Sequence, residues 1–447
     1  MIAPFAVHIT KGDQQPMAIA TPNTASPTTG SGSNQNYSAA LATVTTLFFM
    51  WGFLTCLNDI LVPHLKTIFD LNYTRVMLIQ FAFFGAYFIF SIPSAKIIDA
   101  IGYQRSMVAG LLTMGLGAFL FVPAASVPSY PLFLGALIVL AAGITCLQVA
   151  ANPYVTVLGK PETASSRLNL TQAFNSLGTF LAPFFGGLFI LTAARNMDDI
   201  RALAPDALQA YRLHEAATVK IPYVGLGIAL VVLAGAIASF KLPKIEHAQH
   251  KVGEKVNDSI WAHPNLIFGA IAIFVYVGAE VSIGSFLVNY FGQPEIGGLT
   301  EKVAASFVAF YWGGAMVGRF IGSALLQKVK TGNLLGLCAV CAAALVAISM
   351  LTSGHVAMYS IILVGFFNSI MFPSIFTLGV AELGPLTGDG SGVMIMAIVG
   401  GAILPVAQGW IADHIGIHHA FFLPVICYAY ILFFALSGSK PNSERHA

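Results

Sequence analysis

A chain of 447 residues with 57% hydrophobic and only 9% charged side chains carries far less charge than the roughly 25% of ordinary soluble domains. Most of its surface must therefore face something other than water, which excludes a soluble globular fold. A formal charge of +2 with no dense basic tract also leaves no footprint for nucleic acid.

Residues 1–40 are polar and rich in Thr, Ser, Pro and Gln, without the charged start and short apolar core of a signal peptide; they read as a disordered cytoplasmic tail. A bilayer core about 30 Å thick needs about 20 apolar residues per helix, and about twelve such stretches follow. They run over 41–69, 77–98, 105–122, 131–158, 168–193 and 222–240, then 263–290, 303–326, 334–351, 356–383, 390–414 and 418–436. Barrel strands are excluded, because the runs are too long and do not alternate. The stretches divide into a first half at 41–240, a linker at 241–262, a second half at 263–437 and a tail at 438–447. A second polar segment, 196–220, reads as a long loop. Lys96, Arg105, Lys160, Arg167, the linker lysines, Lys328, Lys330 and Lys440 share one side when both termini are inside, as the positive-inside rule expects. The five cysteines lie in apolar runs and make no disulfide or metal framework.

The halves repeat. Gln148, Pro153 and Leu158-Gly159 recur in order as Asn368, Pro373 and Leu378-Gly379, about 220 residues later. Gly85-Ala86 recurs as Gly314-Ala315, and Gly178, Pro183 and Gly187 recur as Gly400, Pro405 and Gly409. Two parallel six-helix halves around a midplane site make the all-α membrane architecture of the major facilitator fold.

Polar groups in hydrocarbon need a partner or water, so those inside the stretches are the candidates. Asp59 in the first and Glu280 in the seventh are candidate cation-coupling groups: an ionised acid there must pair, bind a cation or take up a proton. Gln148 and Asn152 share one helix face, as do Gln172 and Asn175. Amides both donate and accept, which suits the hydroxyls of a neutral sugar, and no buried Arg pair stands by for an anion. Asn58, Gln80, Asn289, Asn368 and Gln408 offer further amides, and Tyr311 and Trp312 aromatic faces. The bland alternative for each is interhelical hydrogen bonding or packing. Asp99 and Arg105, around a turn at Gly102, and Arg319 read as conformational latches. No Walker loop, zinc motif or nucleophile elbow is present, so no enzyme and no cofactor is expected, and an ion gradient would supply the energy.

Several strings resemble the fucose/glucose/galactose permease family of the major facilitator superfamily, above all its glucose/galactose branch. They are Phe48-Phe49-Met50-Trp51-Gly52-Phe53, Leu57-Asn58-Asp59-Ile60-Leu61, Ala150-Ala151-Asn152-Pro153-Tyr154 and Gln172-Ala173-Phe174-Asn175-Ser176. The second half adds Tyr276-Val277-Gly278-Ala279-Glu280-Val281, Tyr311 through Arg319, and Phe367 through Pro373. The resemblance implies import of a neutral monosaccharide, glucose or galactose first, by cation symport through alternating access. It also implies a multi-pass protein of a bacterial inner membrane, both termini cytoplasmic, and a monomer is expected. In the fucose branch an acid matching Asp59 works with a glutamate in the fourth helix. That position is Gln148 here and cannot titrate, as in the glucose/galactose branch, some members of which use Na⁺. The ion is left as H⁺ or Na⁺. Fucose, fructose or N-acetylglucosamine as substrate, and a sugar exporter or sensor on the same fold, stay open as alternatives.

Overall fold

A computed structural model describes residues 37–69, 73–127, 129–189, 203–243 and 259–441, and the regular structure among them is helical. The first half contains α1 (Tyr37–Phe69), α2 (Tyr73–Ile101), α3 (Tyr103–Ser126), α4 (Tyr130–Val157), α5 (Ala164–Phe189), α6 (Pro205–Thr218) and α7 (Lys220–Ser239). The second contains α8 (Pro264–Phe291), α9 (Glu301–Leu325), α10 (Thr331–Leu351), α11 (Gly354–Asn368), α12 (Met371–Gly379), α13 (Thr387–Met396), α14 (Gly400–Ile415), α15 (Ile417–Ala420) and α16 (Phe422–Phe433). By length and composition, 11 segments among the described residues are able to cross a membrane, with α6–α7, α11–α12, α13–α14 and α15–α16 each counted as one. The helix outside that set is α5, whose Arg167, Asn169, Gln172 and Asn175 dilute its apolar content. Those groups are turned to neighbouring helices, as described below, so α5 belongs to the bundle as its twelfth segment.

Two expectations are corrected. Residues 205–218 of the supposed loop are helical. Pro205 occupies the first turn, where its missing N–H leaves no gap, and Asp206 favours the positive helix start; a high charge content had masked the helix. The tenth apolar stretch is not one helix: the chain turns between α11 and α12, four residues ahead of Pro373. Its repeat counterpart α4 runs unbroken through Pro153, so a proline by itself does not decide whether a helix breaks.

Close backbone approach holds α3 on α4. A Cβ on Gly143 would come within 2.7 Å of Met114 Cγ, and one on Gly110 within 2.9 Å of the Leu147 nitrogen. Hydrogen there lets the helices exchange dispersion contacts where water offers no driving force.

Free helix ends are closed by side chains at the end of the bundle that carries the linker. Arg167 donates to Thr156 O at 2.8 Å, Lys160 O at 2.8 Å and Val155 O at 3.3 Å, taking up the last carbonyls of α4. The turn beneath it passes through Gly159 at φ +103, which only glycine adopts freely. Gln104 Nε2 closes α7 through Ile237 O at 2.8 Å and Phe240 O at 2.6 Å. Asn265 Nδ2 closes α12 through Gly379 O at 3.1 Å and Ala381 O at 3.0 Å.

Candidate functional site

The break between α11 and α12 organises the second half of the site. Asn368, at the last turn of α11, is fully buried. Its Nδ2 donates to the Tyr311 hydroxyl of α9 at 2.9 Å, and its Oδ1 accepts from the Tyr428 hydroxyl of α16 at 2.8 Å. The Tyr276 hydroxyl of α8 lies 2.8 Å from Glu280 Oε1 and 3.0 Å from Asn368 O. Glu280 and Tyr276 are one helical turn apart on the same face. Arg319 of α9 is within electrostatic reach of both. The sequence-derived candidates Glu280, Tyr311 and Asn368 thus form one cluster, joined by Tyr276 and Tyr428. Trp312 is exposed; its ring meets Tyr311 edge-on at 5.1 Å and lies over Gly284.

The first half carries a matching tie. Gln148 Nε2 of α4 donates to the Tyr87 hydroxyl of α2 at 2.8 Å, and both residues are buried. In each half, therefore, the amide of the fourth segment binds a tyrosine of the second. Asn175 Nδ2 donates to Phe48 O of α1 at 2.9 Å, across a contact that needs Gly52: a Cβ there would fall 2.6 Å from Asn175 Nδ2. Asn152 and Gln408 are fully buried, and neither amide of either has a hydrogen-bond partner among the described residues. Gln172 is also buried. Asn289 is not brought to the cluster: it is exposed near the end of α8, nine residues or ~13 Å beyond Glu280 at the helical rise. The side chains of Asn58, Asp59 and Gln80 lie outside the described residues.

The halves are fastened to each other toward the linker end, mostly through neutral groups. Ser165 and Thr377 hydroxyls meet at 2.6 Å. Ser166 Oγ donates to Ser323 O at 2.7 Å, and Ser323 Oγ returns a bond to Ser166 O at 3.1 Å. Asn169 Nδ2 donates to Arg319 O at 2.7 Å, and Ser391 Oγ to Val149 O at 2.8 Å. The Arg319 guanidinium spans both halves: Nε donates to Ser369 O at 3.3 Å, while Nη1 reaches Ser176 Oγ and, at 3.5 Å, Gln172 O. Arg319 is thus held inside the interface and not at the helix end. Asp99 lies against the other half, 3.4 Å from where a Cβ on Gly388 would stand. Arg105 is exposed. Sequence reasoning missed Tyr276, Tyr428, Ser176 and Ser391. Only Tyr276 had a local signal, its spacing from Glu280.

A cavity of ≈ 390 Å³ lies elsewhere, between α1, α5 and α7, walled by Phe49, Phe53, Phe185, Pro222 and Leu226. Its lining is apolar, and it meets none of the polar candidates.

Residues 40–398 match the family described as Major Facilitator Superfamily. The glucose/galactose transporter of Brucella abortus is 54% identical over 412 residues, covering 92% of this chain and 97% of the relative. The L-fucose-proton symporter of Escherichia coli is 35% identical over 424 residues, covering 92% and 95%. The crystal structure of the Escherichia coli fucose:proton symporter superposes with a TM-score of 0.84 at 33% identity, covering 91% of this chain and all of that one. A crystal structure of the transporter FucP in the outward conformation gives a TM-score of 0.83 at 34% identity, covering 90% and 99%.

Proposed function

We propose, from the premise that the chain belongs to the major facilitator superfamily and within it to the fucose/glucose/galactose permease family, that it imports a neutral monosaccharide, glucose or galactose first, by proton-coupled symport through alternating access. The observation that carries the reading is the pair of amide–tyrosine ties, Gln148–Tyr87 and Asn368–Tyr311, one in each half, beside the carboxylate Glu280. Amides and phenols answer hydroxyls with both donors and acceptors. An anionic substrate would call for a free guanidinium, whereas Arg319 is occupied by main-chain and hydroxyl acceptors.

Coupling falls to Asp59 and Glu280. An ionised carboxylate without a cation resists enclosure in a dry site, so closure around sugar favours the protonated form. The proton is preferred to Na⁺ because the relatives named for their ion are fucose–proton symporters. Gln148, Gln172 and Trp312 are the sugar contacts we favour, with Arg319 and Asp99 fastening the gate. The protein works as a monomer in a bacterial inner membrane with both termini cytoplasmic, in line with the loop charges. The linker end is then the inner end, and the arrangement with the halves fastened there is outward-facing, in keeping with its similarity to a structure in the outward conformation.

Counterflow of labelled glucose, galactose, fructose, fucose and N-acetylglucosamine in proteoliposomes tests this, with and without Na⁺ and an imposed pH gradient. Exchange of glucose and galactose, and their accumulation on acid outside irrespective of Na⁺, are expected. Asp59→Asn and Glu280→Gln should each retain exchange and lose accumulation. No exchange of any labelled sugar would sink the reading; uphill uptake by both variants would sink the coupling.

A further inference from the structure

Pro153 and Pro373 occupy equivalent places in the two halves, and each lacks the N–H that would close a helix bond to the carbonyl four residues earlier. Those carbonyls are Val149 O and Ser369 O. Inside a membrane bundle a carbonyl without a partner is strongly disfavoured, yet neither is idle. Val149 O accepts from Ser391 Oγ at 2.8 Å, and Ser391 is a fully buried residue of α13 in the opposite half. Ser369 O accepts from Arg319 Nε at 3.3 Å, and the same guanidinium continues to Ser176 Oγ and Gln172 O of the first half. The two proline positions differ in backbone, since α4 continues and the tenth segment breaks. What they share is the freed carbonyl and its use in a contact between halves.

We propose that Pro153 and Pro373 are gating residues: each leaves one main-chain carbonyl open so that Ser391 and Arg319 can fasten the halves together at the linker end. This rests on the alternating-access reading. An acceptor of this kind suits a gate that opens every cycle, because it belongs to the rigid helix and carries no side-chain entropy of its own. Water replaces the partner when the halves part. Close approach is provided for as well, since a Cβ on Gly392, next to Ser391, would stand 2.9 Å from Ala95 Cβ of α2.

The test uses the full chain in nanodiscs, with its native cysteines replaced and spin labels at Lys160 and Lys328, exposed positions near the linker end of opposite halves. Their distance distribution separates fastened from parted populations. Pro153→Ala restores an N–H that competes for Val149 O and weakens it as an acceptor, leaving Ser391 untouched. It should raise the parted-to-fastened ratio roughly fivefold, as for the loss of one hydrogen bond. Ser391→Ala should do the same, Ser391→Thr should restore the original ratio, and the double variant should move no further than either single one. Alanine favours a helix over proline, so Pro153→Ala should not lower the unfolding temperature, which sets the gate apart from general damage. Pro373→Ala crossed with Arg319→Gln repeats the cycle in the other half, should a Ser391 variant fail to fold. Additive effects in both cycles, or unchanged distances in the proline variants, would overturn the proposal. The distances need no substrate, so a chain that exchanges no sugar but shows these shifts refutes the transport reading and leaves this one standing.

Discussion

Replacing Asn368 by Leu should damage stability well beyond the loss of an ordinary membrane hydrogen bond. Asn368 Oδ1 is the acceptor for Tyr428, and its Nδ2 the donor to Tyr311. Both tyrosines are fully buried. Interhelical bonds in a bilayer average only about 0.6 kcal/mol, because the unfolded chain also finds partners there; two of them would come to about 1 kcal/mol. Leucine, however, does more than remove two bonds. It leaves the Tyr428 hydroxyl sealed without its acceptor, an orphan worth about 1–3 kcal/mol. Tyr311 fares better, since Glu280 O stands 3.5 Å from its hydroxyl. The expected loss is therefore about 2–4 kcal/mol, read by reversible unfolding in mixed micelles. Adding Tyr428→Phe to Asn368→Leu should return about 1 kcal/mol, because replacing both partners of a buried bond removes the orphan. An Asn368→Leu variant within about 0.5 kcal/mol of the parent, or a double variant no more stable than the single one, would refute the reasoning.

Gln148→Leu should raise the half-saturating sugar concentration in counterflow roughly tenfold, the ratio for one polar contact, and should cost about 1–3 kcal/mol in the unfolding assay, because the buried Tyr87 hydroxyl loses its partner. Arg167→Ala strips the end of α4 of its bonds to Val155 O, Thr156 O and Lys160 O; a loss of about 1.5–3 kcal/mol is expected from a charged donor, seen in the same unfolding assay. Gly392→Val puts a branched side chain where even a Cβ would lie 2.9 Å from Ala95 Cβ. It should wedge the linker end apart and increase labelling of a cysteine placed at Ala95.

What could be read in advance was what the bilayer dictates locally. Apolar runs gave the helix number, and the recurrence of Gln148–Pro153 as Asn368–Pro373 gave the duplication. Residues 205–218 escaped because their charges weigh toward a loop, while the Pro-Asp helix start is a weaker signal. The turn after Asn368 escaped because its repeat, before Pro153, stays helical; tertiary contacts decide between the two. Partnerships were the least visible part. Asn368 and Gln148 stood out as polar residues in hydrocarbon, but their tyrosine partners are 57, 60 and 61 residues distant in sequence. No spacing rule reaches that far. Asn289 shows the same limit: composition placed it inside the bilayer, and its distance from Glu280, near the end of α8, was not legible.

The hydroxyl pairs that join the halves also fix what the surroundings can do to them. Ser165 with Thr377, Ser166 with Ser323, and Ser391 with its carbonyl carry no net charge. Mobile ions screen charges but not such dipoles at contact. Swings in ionic strength at the linker end, or a changed proportion of anionic lipid, would leave these hydroxyl fastenings as strong as before, while the contacts of the Arg319 guanidinium would feel them.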